Sequence, residues 1–259
     1  GAAPVLAQSQ PFPPGGAADY MARVLVEKLQ GELGRSIIVE NRPGGGILIG
    51  ANTLKALPAD GSVALLAPDT PMWIAPAIYN KLPFDPAVDF KPVTDVVMVQ
   101  LGLAVPSNSP INSISDLVSA AKAAPERGTV GITVIGSMVH FLASEFIARS
   151  GSNMTLVPYN GATPMMTNLF GGHVAAGLDA TTSFFEYSRS GKIRILAVAG
   201  AKRSKTLPNV PTFSELGYPT LVADSRYVLY MRAGVPQIEV ARWNAAVRKV
   251  LAQPDVQEK

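Results

Sequence analysis

The stretch that decides the fold reads VLAQSQPFPPGGAADYMARVLVEKLQG, from Val5 to Gly31. It begins as a strand, turns at Pro13-Pro14-Gly15-Gly16 and continues as a helix that we expect to end on Gly31, a helix-stop residue. Apolar residues recur along that helix at helical spacing: Met21, Leu25 and Leu29. The first N–H groups of a helix have no partner inside it and carry the positive end of the helix dipole. The turn is therefore a natural seat for a carboxylate or a phosphate.

A second turn of the same kind lies in the middle of the chain. Ile135-Gly136-Ser137 leads into a helix predicted from Met138 to Arg149. Two predicted anion-binding turns, in a sequence without a recognisable set of catalytic residues, favour an anion receptor over an enzyme.

Strands and helices alternate along the sequence, which predicts a mostly parallel sheet with helices on both faces. The β-rich run from Val96 to Val105 is interpreted as a strand that leaves a first lobe, so we place a boundary near residue 100. A proline-rich excursion begins at Pro71, and we expect little regular sheet there. Capping boxes at Ser113 and at Thr212 predict two further helix starts. Strands are also predicted at 36–40, 63–67, 130–135, 154–157, 174–179, 193–199 and 227–231, and helices at 47–57, 164–170, 183–189 and 237–251.

Length and composition indicate a globular protein with two lobes. The chain has 259 residues, 47% of them hydrophobic and 16% charged, and a mean hydropathy of +0.22. This composition excludes a disordered chain. No apolar run reaches the ~18 to 20 residues that span a bilayer.

The sequence lacks the residues that several classes of chemistry require. There is no cysteine, and the net charge of +3 comes from scattered Lys and Arg, so we expect neither thiol chemistry nor nucleic-acid binding. No serine lies in a Gly-x-Ser-x-Gly turn, and the histidines, His140 and His173, have no carboxylate at ligand spacing, so we expect no catalytic residue and no metal. The turn from Gly44 to Gly50 resembles a dinucleotide-binding turn, but Ile49 stands where its last glycine belongs. A nucleotide-dependent enzyme is therefore kept only as an alternative.

Several motifs resemble one known family, in the order in which that family has them. The first pair is Pro11-Phe12-Pro13-Pro14-Gly15-Gly16, with Asp19 three residues on, and Val39 to Gly46. Further matching segments are Leu82 to Phe90, Val157 to Gly161, Leu169 to Gly172, Leu207 to Thr212 and Ala233 to Pro236. Over essentially the whole chain, the sequence resembles the receptors of tripartite tricarboxylate transporters, the Bug-type periplasmic solute-binding proteins.

The resemblance implies an α/β fold of the two-lobed periplasmic-binding-protein kind, type II-like, in which each lobe is a mostly parallel sheet flanked by helices and the ligand lies in a cleft between the lobes. Lobe one would comprise residues 1–100 and 226–259, and lobe two residues 101–225. The resemblance also implies a periplasmic location, with the signal peptide removed or absent from this sequence. Related chains continue some tens of residues beyond Lys259.

The function that the resemblance implies is capture of a small organic carboxylate and its delivery to membrane transporter subunits, without catalysis or cofactor. We expect a monomer. A ligand sensor for a membrane signalling partner is the alternative that shares the same binding chemistry.

Carried over by position, the predicted ligand site combines the first loop, the loop from Thr133 through Ser137 and the segment around Asp179. The predicted ligand-binding residues are Phe12, Pro14, Gly15, Gly16, Asp19, Thr70, Thr133, Gly136, Ser137, His140, Asp179, Ala180 and Arg226.

Departures from the family pattern bear on the ligand. The usual Asp-Asn pair is Asp179-Ala180, and Arg226 stands where relatives often have an aromatic residue. Arg226 is predicted to grip a distal carboxylate, with a surface salt bridge as the alternative. A dicarboxylate is therefore favoured, and an aromatic diacid of the phthalate type is a second ligand class. Asp69 would repel a carboxylate but could receive a ligand ammonium.

Overall fold

The computed structural model describes residues 5–10, 17–42 and 47–257, with side chains in 19–42 and 47–257. The chain divides into two compact units, Gly1–Met98 with Arg226–Lys259, and Val99–Ser225. Within the described ranges, every helix is too short or too polar to cross a bilayer.

The first unit opens with alternating strands and helices. They are β1 (Val5–Gln10), α1 (Ala17–Leu33), β2 (Ile37–Asn41), α2 (Leu48–Ala56), β3 (Ala64–Pro68), α3 (Asp69–Ile78) and α4 (Pro86–Asp89). The long strand β4 (Phe90–Pro106) then carries the chain from the first unit into the second.

The second unit continues the alternation. Its elements are α5 (Ile114–Ala123), β5 (Thr129–Ile132), α6 (Met138–Ser150), β6 (Thr155–Pro158), α7 (Ala162–Phe170), β7 (Ala176–Ala180), α8 (Phe185–Arg189) and β8 (Ile193–Val198). Strand β9 (Asp224–Arg232) returns to the first unit, which is completed by α9 (Gln237–Leu251) and α10 (Pro254–Gln257).

Each unit has a sheet with parallel strands and an antiparallel addition. In the first unit, β2, β1 and β3 are parallel neighbours, and β9 pairs antiparallel with β3. In the second unit, β6, β5 and β7 are parallel neighbours, and β4 pairs antiparallel with both β7 and β8. The prediction of an α/β fold with helix-flanked sheets is confirmed, and the antiparallel pairs come from the strands that lead into and out of the second unit.

Apolar side chains bury the sheets against the helices. In the second unit, Leu103 of β4, Val130 of β5 and Phe146 of α6 belong to one buried cluster. In the first unit, Leu65 of β3 and Tyr230 of β9 belong to another. The strands of each sheet are thus held in place by buried side chains of their own unit.

One helix end differs from the sequence prediction, and one helix was not predicted. Helix α1 runs past Gly31 to Leu33, and the residue that follows is Gly34 with φ of 63°. Glycine adopts this left-handed conformation without a Cβ penalty, so Gly34 rather than Gly31 ends the helix. The proline-rich excursion contains helix α3, in which Pro71 lies in the first turn, where a missing N–H costs no intrahelical bond.

The capping box at Thr212 forms, but no helix follows it. The Thr212 amide donates to Glu215 at 2.7 Å, and the Glu215 amide donates to the Thr212 hydroxyl at 3.1 Å. These reciprocal bonds close a turn at 213–217 instead. The predicted helix at this point is therefore wrong, although its hydrogen bonds are present.

Candidate functional site

Helix α6 begins just beyond the carboxyl end of β5, and its first turn leaves two backbone amides open. Ser137 is the N-cap, and its Oγ accepts from the His140 amide at 3.4 Å and donates to the Val134 carbonyl at 2.7 Å. The Ser137 amide donates to the same carbonyl at 3.3 Å. Within the described ranges, the amides of Met138 and Val139 have no acceptor. They form a pair of donors at the positive end of the helix dipole.

The backbone amide of Gly136, which was predicted to bind the ligand, has the imidazole of His140 as its acceptor. The Gly136 amide donates to His140 Nδ1 at 3.1 Å. Gly136 has φ of 77°, a conformation that suits glycine. Since Nδ1 accepts, the ring proton is on Nε2, which is left as a donor. The His140 ring also stacks on Phe141, with centroids 5.9 Å apart, and the Phe141 side chain is 40% exposed.

A buried carboxyl group lies at the same edge of the sheet. Strands β5 and β7 are parallel neighbours, so their carboxyl ends meet there. Just beyond β5, the Thr133 hydroxyl donates to Asp179 Oδ1 at 2.9 Å, and both side chains are buried. Burial raises the pKa of Asp179, partly offset by hydrogen bonds from the Ala180 amide, Thr133 and Ser183. In open α/β sheets, ligands bind beyond the carboxyl ends of the strands. Thr133 and Asp179 lie at this edge of the sheet.

The first unit brings Asp69 and Arg226 together. Pro68 pairs with Tyr227 in the antiparallel β3–β9 ladder, so the residue after Pro68, Asp69, meets the residue before Tyr227, Arg226. Arg226 donates to Asp69 Oδ2 from Nε at 2.9 Å and from Nη2 at 2.7 Å. The Thr70 hydroxyl donates to the other oxygen of Asp69 at 3.2 Å. The salt bridge considered for Arg226 is thus present, while its contact with a ligand remains a prediction.

An exposed tryptophan lies beside this ion pair. Trp73 follows Asp69 by one turn of α3 and is 46% exposed. Its ring meets the buried ring of Tyr230 edge to face at 6.4 Å. Trp73 was not predicted as a site residue, because the prolines of this segment favoured a loop. Asp69-Thr70-Pro71 is a helix-start pattern that could have found it.

Asp19 ties together two elements of the first unit. Its carboxylate accepts from Arg23 Nε at 3.1 Å and from Asn41 Nδ2 at 3.2 Å. It therefore links the first turn of α1 to the end of β2, and it is almost completely buried. The predicted site residues of the preceding turn lie outside the described residues: Phe12, Pro14, Gly15 and Gly16.

The structure thus gathers the predicted site residues into groups within each unit. One group in the second unit lies at or just beyond the carboxyl ends of β5 and β7: Thr133, Gly136, Ser137, His140, Asp179 and Ala180. Ala180 is buried, so its methyl group contributes packing. In the first unit, Thr70 and Arg226 meet at Asp69.

Helix-flanked mixed sheets of this topology define the class of periplasmic solute-binding proteins, and solved structures of that class match the chain over nearly its whole length. The family model described as "Tripartite tricarboxylate transporter family receptor" matches residues 21–259. The chain therefore belongs to this receptor family, whose members are solute receptors and not enzymes, as the sequence resemblance indicated.

Individual relatives agree with this assignment. Protein BugT of Bordetella pertussis is 34% identical over 249 residues, which are 96% of this chain and 76% of BugT. An R. palustris protein solved with adipate is 30% identical with a TM-score of 0.93, over 98% of this chain and 85% of that one. MatC from Rhodopseudomonas palustris, solved with bound malate, is 26% identical with a TM-score of 0.90, over 98% of this chain and 86% of that one.

Proposed function

We propose that this protein is a periplasmic receptor that binds a small organic dicarboxylate and delivers it to the membrane subunits of a tripartite tricarboxylate transporter. The observation that carries the proposal is the pair of open amides, Met138 and Val139, at the start of α6. Family membership supports the transporter partner, and the two relatives solved with malate and adipate support a dicarboxylate.

One ligand carboxylate would bind at the start of α6. Two adjacent N–H donors match the two oxygens of a carboxylate, and the helix dipole favours its negative charge. The Nε2–H of His140 adds a third donor one residue further along the helix. No proton transfer is needed, so this arrangement suits reversible capture.

The second carboxylate would bind Arg226 in the first unit. A guanidinium recognises a carboxylate through two parallel hydrogen bonds, which are stronger than neutral ones. An aromatic diacid of the phthalate type is a second candidate ligand, because the exposed rings of Trp73 and Phe141 lie beside the two groups of polar residues.

A thermal-shift screen, followed by calorimetry, tests the proposal. The panel contains malate, adipate and terephthalate, the matched monoacids, amino acids and nucleotides. A ligand at one hundred times its Kd stabilises the folded state by about 2.7 kcal/mol. We expect dicarboxylates to raise Tm and nucleotides to leave it unchanged.

A nucleotide shift without a carboxylate shift would contradict the proposal and favour the nucleotide-dependent enzyme. Reconstitution of transport in vesicles distinguishes the transport receptor from the alternative, a ligand sensor. Uptake of the bound diacid into vesicles that carry the tripartite membrane subunits must depend on this protein.

A further inference from the structure

We propose that Asp69 and Asp95 set the dicarboxylate specificity of Arg226: Asp69 fixes the guanidinium, and Asp95 masks the edge that a ligand's second carboxylate takes over. This inference rests on the proposed function and deepens it. Asp69, Asp95 and Arg226 all belong to the first unit.

Asp69 accepts two hydrogen bonds from one edge of the guanidinium. Both the Nε and the Nη2 of Arg226 donate to Asp69 Oδ2, at 2.9 and 2.7 Å. The Asp69 side chain is only 15% exposed, and it is the first residue of α3. Its other oxygen accepts from the Thr70 hydroxyl. Asp69 is therefore a positioning residue for Arg226.

The outer edge of the same guanidinium is almost unused. Arginine has five N–H donors, and Asp69 takes two of them. The three that remain are on Nη1 and Nη2, and one of them makes a long contact with Asp95 Oδ2 at 3.5 Å. The side chains of Arg226 and Asp95 are 48% and 60% exposed. An exposed pair at this distance contributes little stability, so Asp95 can be displaced.

A ligand carboxylate fits this outer edge better than Asp95 does. The Nη1 and Nη2 donors present a planar fork that matches both oxygens of a carboxylate. Asp95 makes a single contact, and its backbone is fixed in β4. Exchange would therefore replace one long hydrogen bond with two short ones.

The negative charge of Asp95 opposes the binding of diacids. With both aspartates ionised, the cluster of Asp69, Asp95 and Arg226 has a net charge of −1. The second carboxylate of a diacid meets repulsion from Asp95, whereas the apolar end of a monoacid does not. Removing the Asp95 charge should then strengthen the binding of diacids selectively.

The experiment compares adipate with hexanoate, which have the same chain length and differ by one carboxylate. Isothermal titration calorimetry gives Kd for the wild-type protein and for Asp95→Asn, Asp69→Asn and Arg226→Gln. The control is Glu186→Gln, which changes the net charge equally at an exposed acid whose nearest cation is 3.8 Å away. We expect Asp95→Asn to bind adipate about two- to fivefold more tightly, with hexanoate and the control unchanged. High salt should reduce the gain, because it screens exposed charges.

Arg226→Gln should weaken adipate at least as much as Asp95→Asn strengthens it, and leave hexanoate unchanged. Asp69→Asn should also weaken adipate selectively, whereas a purely structural role would lower Tm and weaken both ligands equally. Equal affinity changes for adipate and hexanoate, or weaker adipate binding by Asp95→Asn, would overturn the inference while the proposed function stands. If the wild-type protein binds neither adipate nor malate, the proposed dicarboxylate function fails and the inference fails with it.

Discussion

The hydroxyl of Thr133 donates to Asp179 Oδ1 at 2.9 Å, and this bond joins the ends of two neighbouring parallel strands. The carboxyl group is buried at the edge where α6 begins. Its hydrogen bonds do not fully replace the water it has lost, so its pKa is raised.

Asp179→Asn should change how stability depends on pH. The folded-state pKa of Asp179 lies above its ordinary value of 3.8. The protonated carboxyl thus stabilises the fold fully below that value, and this contribution is lost as pH rises through the folded-state pKa. Urea unfolding from pH 4 upward should show the wild-type protein losing free energy of unfolding relative to Asp179→Asn.

The matched control has the opposite sign. Hydrogen bonds from Ser62 lower the pKa of Asp60, so its contribution is present above 3.8 and lost as pH falls. The wild-type protein should therefore gain stability over Asp60→Asn as pH rises to about 4, and keep that gain at higher pH. The same slope for both variants would contradict the role of burial at Asp179.

Ser137→Ala should weaken ligand binding as well as the helix. Losing an N-cap costs about 1 kcal/mol, and the loop that presents the open amides loses its anchor to Val134. Ser113 caps α5 in the same way, accepting from the Asp116 amide at 3.1 Å. Ser113→Ala should lower Tm similarly and leave the Kd for adipate unchanged. Calorimetry and thermal unfolding of both variants measure the two effects, and equal Kd values for them would remove Ser137 from the site.

His140→Ala should weaken carboxylate binding about tenfold, the worth of a hydrogen bond to a charged group. The variant loses the Nε2–H donor and leaves the Gly136 amide without its acceptor. His173→Ala is the control, because His173 lies after α7 and is exposed. Titration calorimetry with adipate distinguishes them. An unchanged Kd for His140→Ala would show that its ring only supports the loop.

Gly128→Ala should destabilise the second unit by about 1–3 kcal/mol, through overpacking. An added Cβ would lie 2.4 Å from the Cβ of Ala121 and 3.1 Å from Met154 Cγ. Gly31 is the matched control, since nothing lies within 4 Å of its added Cβ and it lies within α1. Gly31→Ala should stabilise by about 0.5–1 kcal/mol. Chemical denaturation of both variants measures these changes, and a neutral Gly128→Ala would show that α5 can move aside.

The sequence predicted the elements whose signals are local. The turn at Gly136-Ser137 predicted the helix that follows it, the alternation of strands and helices predicted the strand at Ile193, and both are confirmed. Helix α3 was missed because Pro71 and Pro76 resemble loop residues, although Pro71 lies in the first turn, where proline is tolerated.

The site was predictable only where its contacts are short in sequence. The bond from Gly136 to His140 spans four residues, which local spacing can suggest. The ion pair of Asp69 and Arg226 spans 157 residues and arises from the antiparallel register of β3 and β9. No local pattern encodes that register, so Arg226 was predicted without its partner.

The return of the chain through β9 has a consequence for biosynthesis. Strand β3 gains its antiparallel neighbour, and α1 its contact with α9, only after the whole of the second unit has been translated. At about 5–20 residues per second, the ribosome needs about 6 to 25 seconds for residues 99–225. During this time one edge of β3 lacks its native neighbour, whereas the second unit is contiguous and is complete before β9 has been made. An unpaired strand edge of this kind is exposed to aggregation until β9 covers it.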